Sequence, residues 1–182
     1  MLLIDIPLEP EQYDESKNIF IAPKKVKTLR LEHSLVSLSK WESKWHKPFL
    51  SKQEKTFEET IDYIKCMTLT QNVSPEVYNH LTDENVTQIN KYIEDSMTAT
   101  TFLEDKSGKN NRKIVTSELI YYWMITLNIP PEYQKWHLNR LLTLIRVCNI
   151  ENAPPKKTSK RELTSRYAAM NKARREQLKS KG

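Results

Sequence analysis

The sequence predicts an α+β protein: a mainly helical body with a small N-terminal antiparallel β element, a hairpin near 97–115, and a basic C-terminal helical arm. Three observations lead there. Apolar residues alternate with polar ones up to Leu31, then recur at steps of three and four, and beyond Pro154 and Pro155 the composition turns basic. These changes divide the chain into an N-terminal β element over 1–31, a helical body over 32–150, a Pro-rich linker over 151–159 and an arm over 160–182.

The β element opens with Leu2-Leu3-Ile4-Asp5-Ile6, turns through Asp14 to Lys17, and continues in Asn18-Ile19-Phe20-Ile21 and Lys25 to Leu31. Val26, Leu29 and Leu31 can all face inward only if a bulge interrupts the last run. From there Leu35, Leu38, Trp41 and Trp45 form one stripe of a helix that Ser34 caps and Pro48 stops. Thr56 with Glu59 is a capping-box pair that starts a second helix over about 57–68. Ser74-Pro75 and Thr82-Asp83-Glu84 start two short stripes, which read by spacing as a helix-turn-helix unit. The β-formers of 97–102 and Lys113-Ile114-Val115 flank a polar turn and suggest the hairpin. Leu119 to Leu127 is the most apolar stretch, and a last body helix is expected from about Glu132 to Asn149, both buried centrally. Tyr121, Tyr122 and Trp123 are expected in the core or a subunit interface.

Composition excludes more than it assigns. The 182 residues include two glycines, Gly108 and Gly182, so neither glycine-rich phosphate cradle can be built. No serine sits in a nucleophile elbow. The four histidines lie far apart without a helical metal spacing, and Cys66 and Cys148 stand 82 positions apart, as reduced thiols of an intracellular protein do. The expectation is no enzyme, no metal and no cofactor. The first residues lack the basic start of a signal peptide, and no apolar run reaches the ~20 residues of a membrane helix. A cytoplasm and no membrane partner are expected.

The net charge of +6 is uneven: ten Lys and Arg against three Glu after Ile150 give the tail +7, leaving −1 for residues 1–150. Such a tail meets either nucleic acid, through phosphates, or a protein partner. Leu163, Tyr167 and Met170 follow each other at steps of four and three, a stripe that phosphate binding does not require, which favours protein. Arg166, Arg174 and Arg175 flank it. Trp41 and Trp45, set among Lys40, Lys44 and Lys47, can stack nucleotides or pack in the core, and helical spacing favours the core. The candidate partner-binding residues are Trp41, Trp45, Leu163, Arg166, Tyr167, Met170, Arg174 and Arg175.

The run from Leu29 to Leu50, with Lys40-Trp41-Glu42-Ser43-Lys44-Trp45-His46-Lys47-Pro48-Phe49 at its centre, resembles a segment of tailed-phage proteins. Tyr63 to Thr68, Tyr121-Tyr122-Trp123-Met124, Trp136 to Leu141 and the closing Ser165 to Arg175 are similar to the same proteins. The family is the tail assembly chaperones of long-tailed (siphovirus-like) bacteriophages. The resemblance implies a homo-oligomeric, non-catalytic protein that binds the phage tape measure protein, with the major tail tube protein as a further contact, and keeps it soluble during tail tube assembly. A structural virion protein or a nucleic-acid-binding phage protein is the alternative.

Overall fold

The computed structural model describes residues 1–9, 12–14, 19–21, 25–102, 114–154 and 160–178, and within them the side chains of 12–14, 19–21, 160–163 and 166 are not described. The fold is α+β. β1 (Leu2–Pro7) pairs antiparallel with β4 (Val26–Leu31) in unbroken register from Leu2↔Leu31 to Pro7↔Val26. Between them β2 (Gln12–Asp14) and β3 (Ile19–Ile21) form their own antiparallel pair. The expected bulge in β4 is absent, so strict alternation buries Leu29 and Leu31 and leaves Val26 exposed beside Thr28 and Arg30. Ile4 and Ile6 of β1 complete the buried face.

Both edges of this small sheet are engaged. The Glu32 amide donates to the Met67 carbonyl and the Leu69 amide to the Arg30 carbonyl, both within 2.9 Å, so the chain leaving α2 runs along β4. On the other strand Asn85 Nδ2 donates to the Asp5 carbonyl at 3.2 Å. Covering exposed strand edges in this way prevents pairing with other chains.

α1 (Leu35–Trp45) starts where Ser34 and Ser37 cap each other, and it ends with His46 in the left-handed region at φ 53°, ahead of Pro48. α2 (Phe57–Met67) carries the expected Thr56–Glu59 capping box. Next, Pro75–His80 forms a 3-10 helix and α3 (Asp83–Glu94) starts afresh from its own box of Thr82 and Asn85. The expected helix-turn-helix is therefore one 3-10 turn and one α-helix, separated by the extended Leu81 (ψ 126°). The hairpin expected near 97–115 falls largely outside the described residues. Its described parts, 97–102 and 114–116, contain no strand, because Asp95 and Thr98 side chains bond the Met97 and Thr100 amides in local turns.

α4 (Ser117–Thr126) buries Ile120 and Met124 but exposes Tyr122 and Ile125, so one face, not the whole helix, enters the core. α5 (Leu138–Glu151) begins six residues later than the periodicity suggests. Pro131–Lys135 is a 3-10 helix, Trp136 is extended, and His137 makes a β-bridge with Ser34 while the Leu138 amide donates to the His33 carbonyl at 2.7 Å. A contact across a hundred residues thus replaces the first helical turns. The chain forms two compact units, Met1–Asn149 and Ile150–Gly182. In the second, α6 (Lys160–Leu178) is the arm, and positions 155–159 of the expected linker lie outside the described residues.

Candidate partner-binding surface

The tryptophan-lysine segment is spent inside the body. Trp41 is buried and its Nε1 donates to the Glu59 carbonyl at 2.8 Å. Trp45 Nε1 donates to Asp62 Oδ2 at 2.9 Å, and Lys44 bonds the other oxygen of the same carboxylate. Lys47 Nζ meets Glu59 Oε1 at 2.5 Å. Glu59 and Asp62 sit one turn apart on α2, as Trp41, Lys44 and Trp45 do on α1, so where the two helices pack, spacing lines up the three pairs these residues make, and Lys47 reaches Glu59 from just beyond the end of α1. Lys47 and the capping bonds of Thr56 hold the buried Glu59 carboxyl below the usual carboxylate range. Trp41 and Trp45 therefore bind helix to helix, and Trp41 leaves the set of partner-contact residues because its ring is enclosed.

A second cluster joins residues that look unrelated in sequence. The His33 and His137 rings lie edge to face with centroids 5.1 Å apart, Tyr63 stands edge-on to His33, and Tyr92 edge-on to His137. His33 Nδ1 shares a 2.6 Å hydrogen bond with the Tyr63 hydroxyl. His137 Nε2 lies 2.9 Å from the Tyr92 carbonyl, which can only accept, so Nε2 carries the proton. Nδ1 of the same ring is buried without a partner among the described residues. The Tyr92 hydroxyl donates to Glu32 Oε1 at 2.7 Å. Burial, then the neighbouring His137, pushes His33 down to about 3, and burial also lowers His137. Burial raises Tyr63 and Tyr92. The four rings, Tyr63, His33, His137 and Tyr92, pack edge to face in succession and make a clasp between the elements that carry them.

Two surface depressions of about 390 Å³ each flank α1. One, between the end of α1 and the start of α4, is lined by Glu42, His46 and Glu118, and the Glu42 carboxylate already occupies the free Ser117 amide there. The other has Phe57, Ile61 and Tyr78 on its walls with Lys44, Lys65 and Glu58 at the rim. Among the described residues no group of three or more His, Cys, Asp or Glu is placed to hold a metal ion, and no helix is long and apolar enough to cross a membrane.

α6 places the remaining candidates. Tyr167 is 61% exposed, Met170 54% and Leu178 74%, and Arg174 and Arg175 are exposed beside them. The side chains of Leu163 and Arg166 lie outside the described residues, and both positions are on the same helix. The structure thus separates the eight sequence candidates into two groups, a helix-helix joint in the body and an exposed set on the arm. Tyr122, expected in the core or a subunit interface, and Ile125, expected in a centrally buried helix, are both exposed on α4 and form a further apolar patch. Their dense apolar run in sequence signals burial but cannot say by what. Comparison with protein-family models, curated proteins and solved structures gives no match.

Proposed function

We propose that this protein is a tail assembly chaperone of long-tailed bacteriophages, working in the host bacterial cytoplasm. It binds the tape measure protein and keeps that client's apolar helices from aggregating while the tail tube assembles. The observation that carries the proposal is α6, a nineteen-residue helix that exposes Tyr167, Met170 and Leu178 amid basic residues, in a compact unit distinct from the one holding the core. An arm that exposes apolar side chains among basic ones is suited to lie along a partner helix. The family resemblance of the tryptophan-lysine segment supplies the client's identity. The protein acts by binding and needs no cofactor, and the exposed Tyr122 and Ile125 on α4 supply a surface for a homo-oligomer.

Co-expression with the cognate tape measure protein, followed by co-purification at about half-molar salt, tests the proposal, since exposed charge contacts are largely screened there. A soluble complex is the expected result. An insoluble, unbound tape measure protein refutes it. The excess of ten basic over three acidic residues after Ile150 favours one second reading, binding of nucleic acid. That mode weakens steeply between low and moderate salt, and apolar client binding does not. Recovery of the protein in finished particles would instead identify a structural virion component.

A further inference from the structure

α6 carries a charge inside its apolar stripe, because Arg174, expected to flank the stripe, continues it one turn beyond Met170. Leu163, Tyr167, Met170, Arg174 and Gln177 follow one another at steps of four, three, four and three, the spacing of a seam between two packed helices. Arg174 is exposed in the described helix, as are Tyr167 and Met170 before it and Leu178 after it. When such a seam closes on a partner, the guanidinium loses water and requires an acceptor, because an unpaired buried charge is far costlier than any apolar contact recovers.

A second copy of the arm does not supply that acceptor. Parallel pairing in register sets Arg174 against Arg174. Antiparallel pairing fares no better, because the acidic positions of this helix, 162 and 176, lie about 80° or more around it from positions 163, 170 and 174. Nucleic acid would satisfy Arg174 and leave Met170 and Leu178 without apolar contact. We infer that α6 docks alongside an apolar helix of its partner that presents a carboxylate to Arg174. This rests on the client-binding reading for the partner's identity, and the charge preference itself is testable without the client.

The test uses the full chain and two labelled helical peptides with Leu at the seam positions, one with Glu and the other with Lys in the central layer, followed by fluorescence anisotropy at about physiological salt. The Glu peptide is expected to bind at least about tenfold tighter, since like charges facing across an interface are strongly disfavoured. Arg174→Glu should reverse the order, and Tyr167→Ser with Met170→Ser should weaken both peptides. Equal affinities, or a preference that survives Arg174→Glu, overturn the inference. So does self-association of the wild-type chain that the Tyr167→Ser, Met170→Ser variant abolishes, or a single-stranded oligonucleotide that displaces the Glu peptide at the same salt. A tape measure protein that fails to bind while the Glu preference holds removes the client and leaves the docking rule in place.

Discussion

Glu42 Oε2, in α1, accepts the Ser117 amide at the start of α4 at 2.7 Å, across 75 positions of sequence. Its other oxygen accepts the Phe49 amide at 2.8 Å. Thr116, at the N-cap position of α4, makes no side-chain capping bond, so a carboxylate from another helix does that work, aided by the positive end of the helix dipole. The buried carboxylate is a joint between α1, the loop at Phe49 and α4.

Replacing Glu42 with Gln keeps the volume but turns an amide group toward one of the two backbone N–H donors. The variant is expected to lose about 2 kcal/mol of stability, the range for a charged hydrogen bond with a donor left buried. Urea titration followed by circular dichroism checks it. An unchanged midpoint would mean that water replaces the carboxylate.

Acid should loosen the body before its carboxylates titrate. His33 stays neutral in the fold down to about 3, whereas in the unfolded chain it takes a proton near 6.5. Between those values the unfolded state binds more protons, so stability falls as the pH drops. The loss is small above 6.5 and reaches about 2 kcal/mol for His33 between pH 7.5 and 5. His137, also lowered by burial, adds loss in the same direction, with Glu32 and Asp95 nearby opposing it. Denaturant midpoints at pH 7.5, 6.5 and 5 measure the slope, and His33→Gln should flatten it. A wild-type midpoint that does not move over this range contradicts the buried neutral pair.

Substitutions in the two groups of candidate residues should have separate effects. Trp41→Phe removes the indole donor to the Glu59 carbonyl and leaves a void, and about 2–3 kcal/mol of stability should go with it. Client retention at half-molar salt should survive wherever the variant remains folded. Tyr167→Ser with Met170→Ser should do the reverse, with loss of the client and a body midpoint within about 0.5 kcal/mol of wild type. Retention of the client by the arm variant would move the binding surface back to the body.

His46 ends α1 in the left-handed region, where a side chain crowds its own backbone. His46→Gly should raise stability by about 0.5 kcal/mol, the steric relief being partly offset by the entropy of an added glycine. Differential scanning calorimetry would show a small upward shift in Tm. A downward shift would assign the His46 ring a packing role.

Local signals in the sequence translated well into structure. Thr56 and Glu59 are three positions apart, so the start of α2 needs nothing else, and the stripe of Leu35, Leu38 and Trp41 defines the buried face of α1 by itself. Where the sequence misleads, a distant partner decides. Trp136 and His137 have helical spacing with the residues after them, yet Ser34 draws His137 into a bridge and α5 starts later. The His33–His137 pair is invisible for the same reason, since 104 positions separate rings that touch. Trp45 and Lys44 are legible as an aromatic-basic motif, and only the position of Asp62 on α2 reveals that both side chains bond a neighbouring helix.

All four tryptophans, Trp41, Trp45, Trp123 and Trp136, belong to the Met1–Asn149 unit, and α6 contains none. Intrinsic emission excited at the indole band therefore reports on the body alone. With a tryptophan-free probe, docking at the arm should be optically silent unless it disturbs one of these four rings. A blue or red shift on adding such a probe would reveal communication between the two units that an anisotropy curve alone would never display.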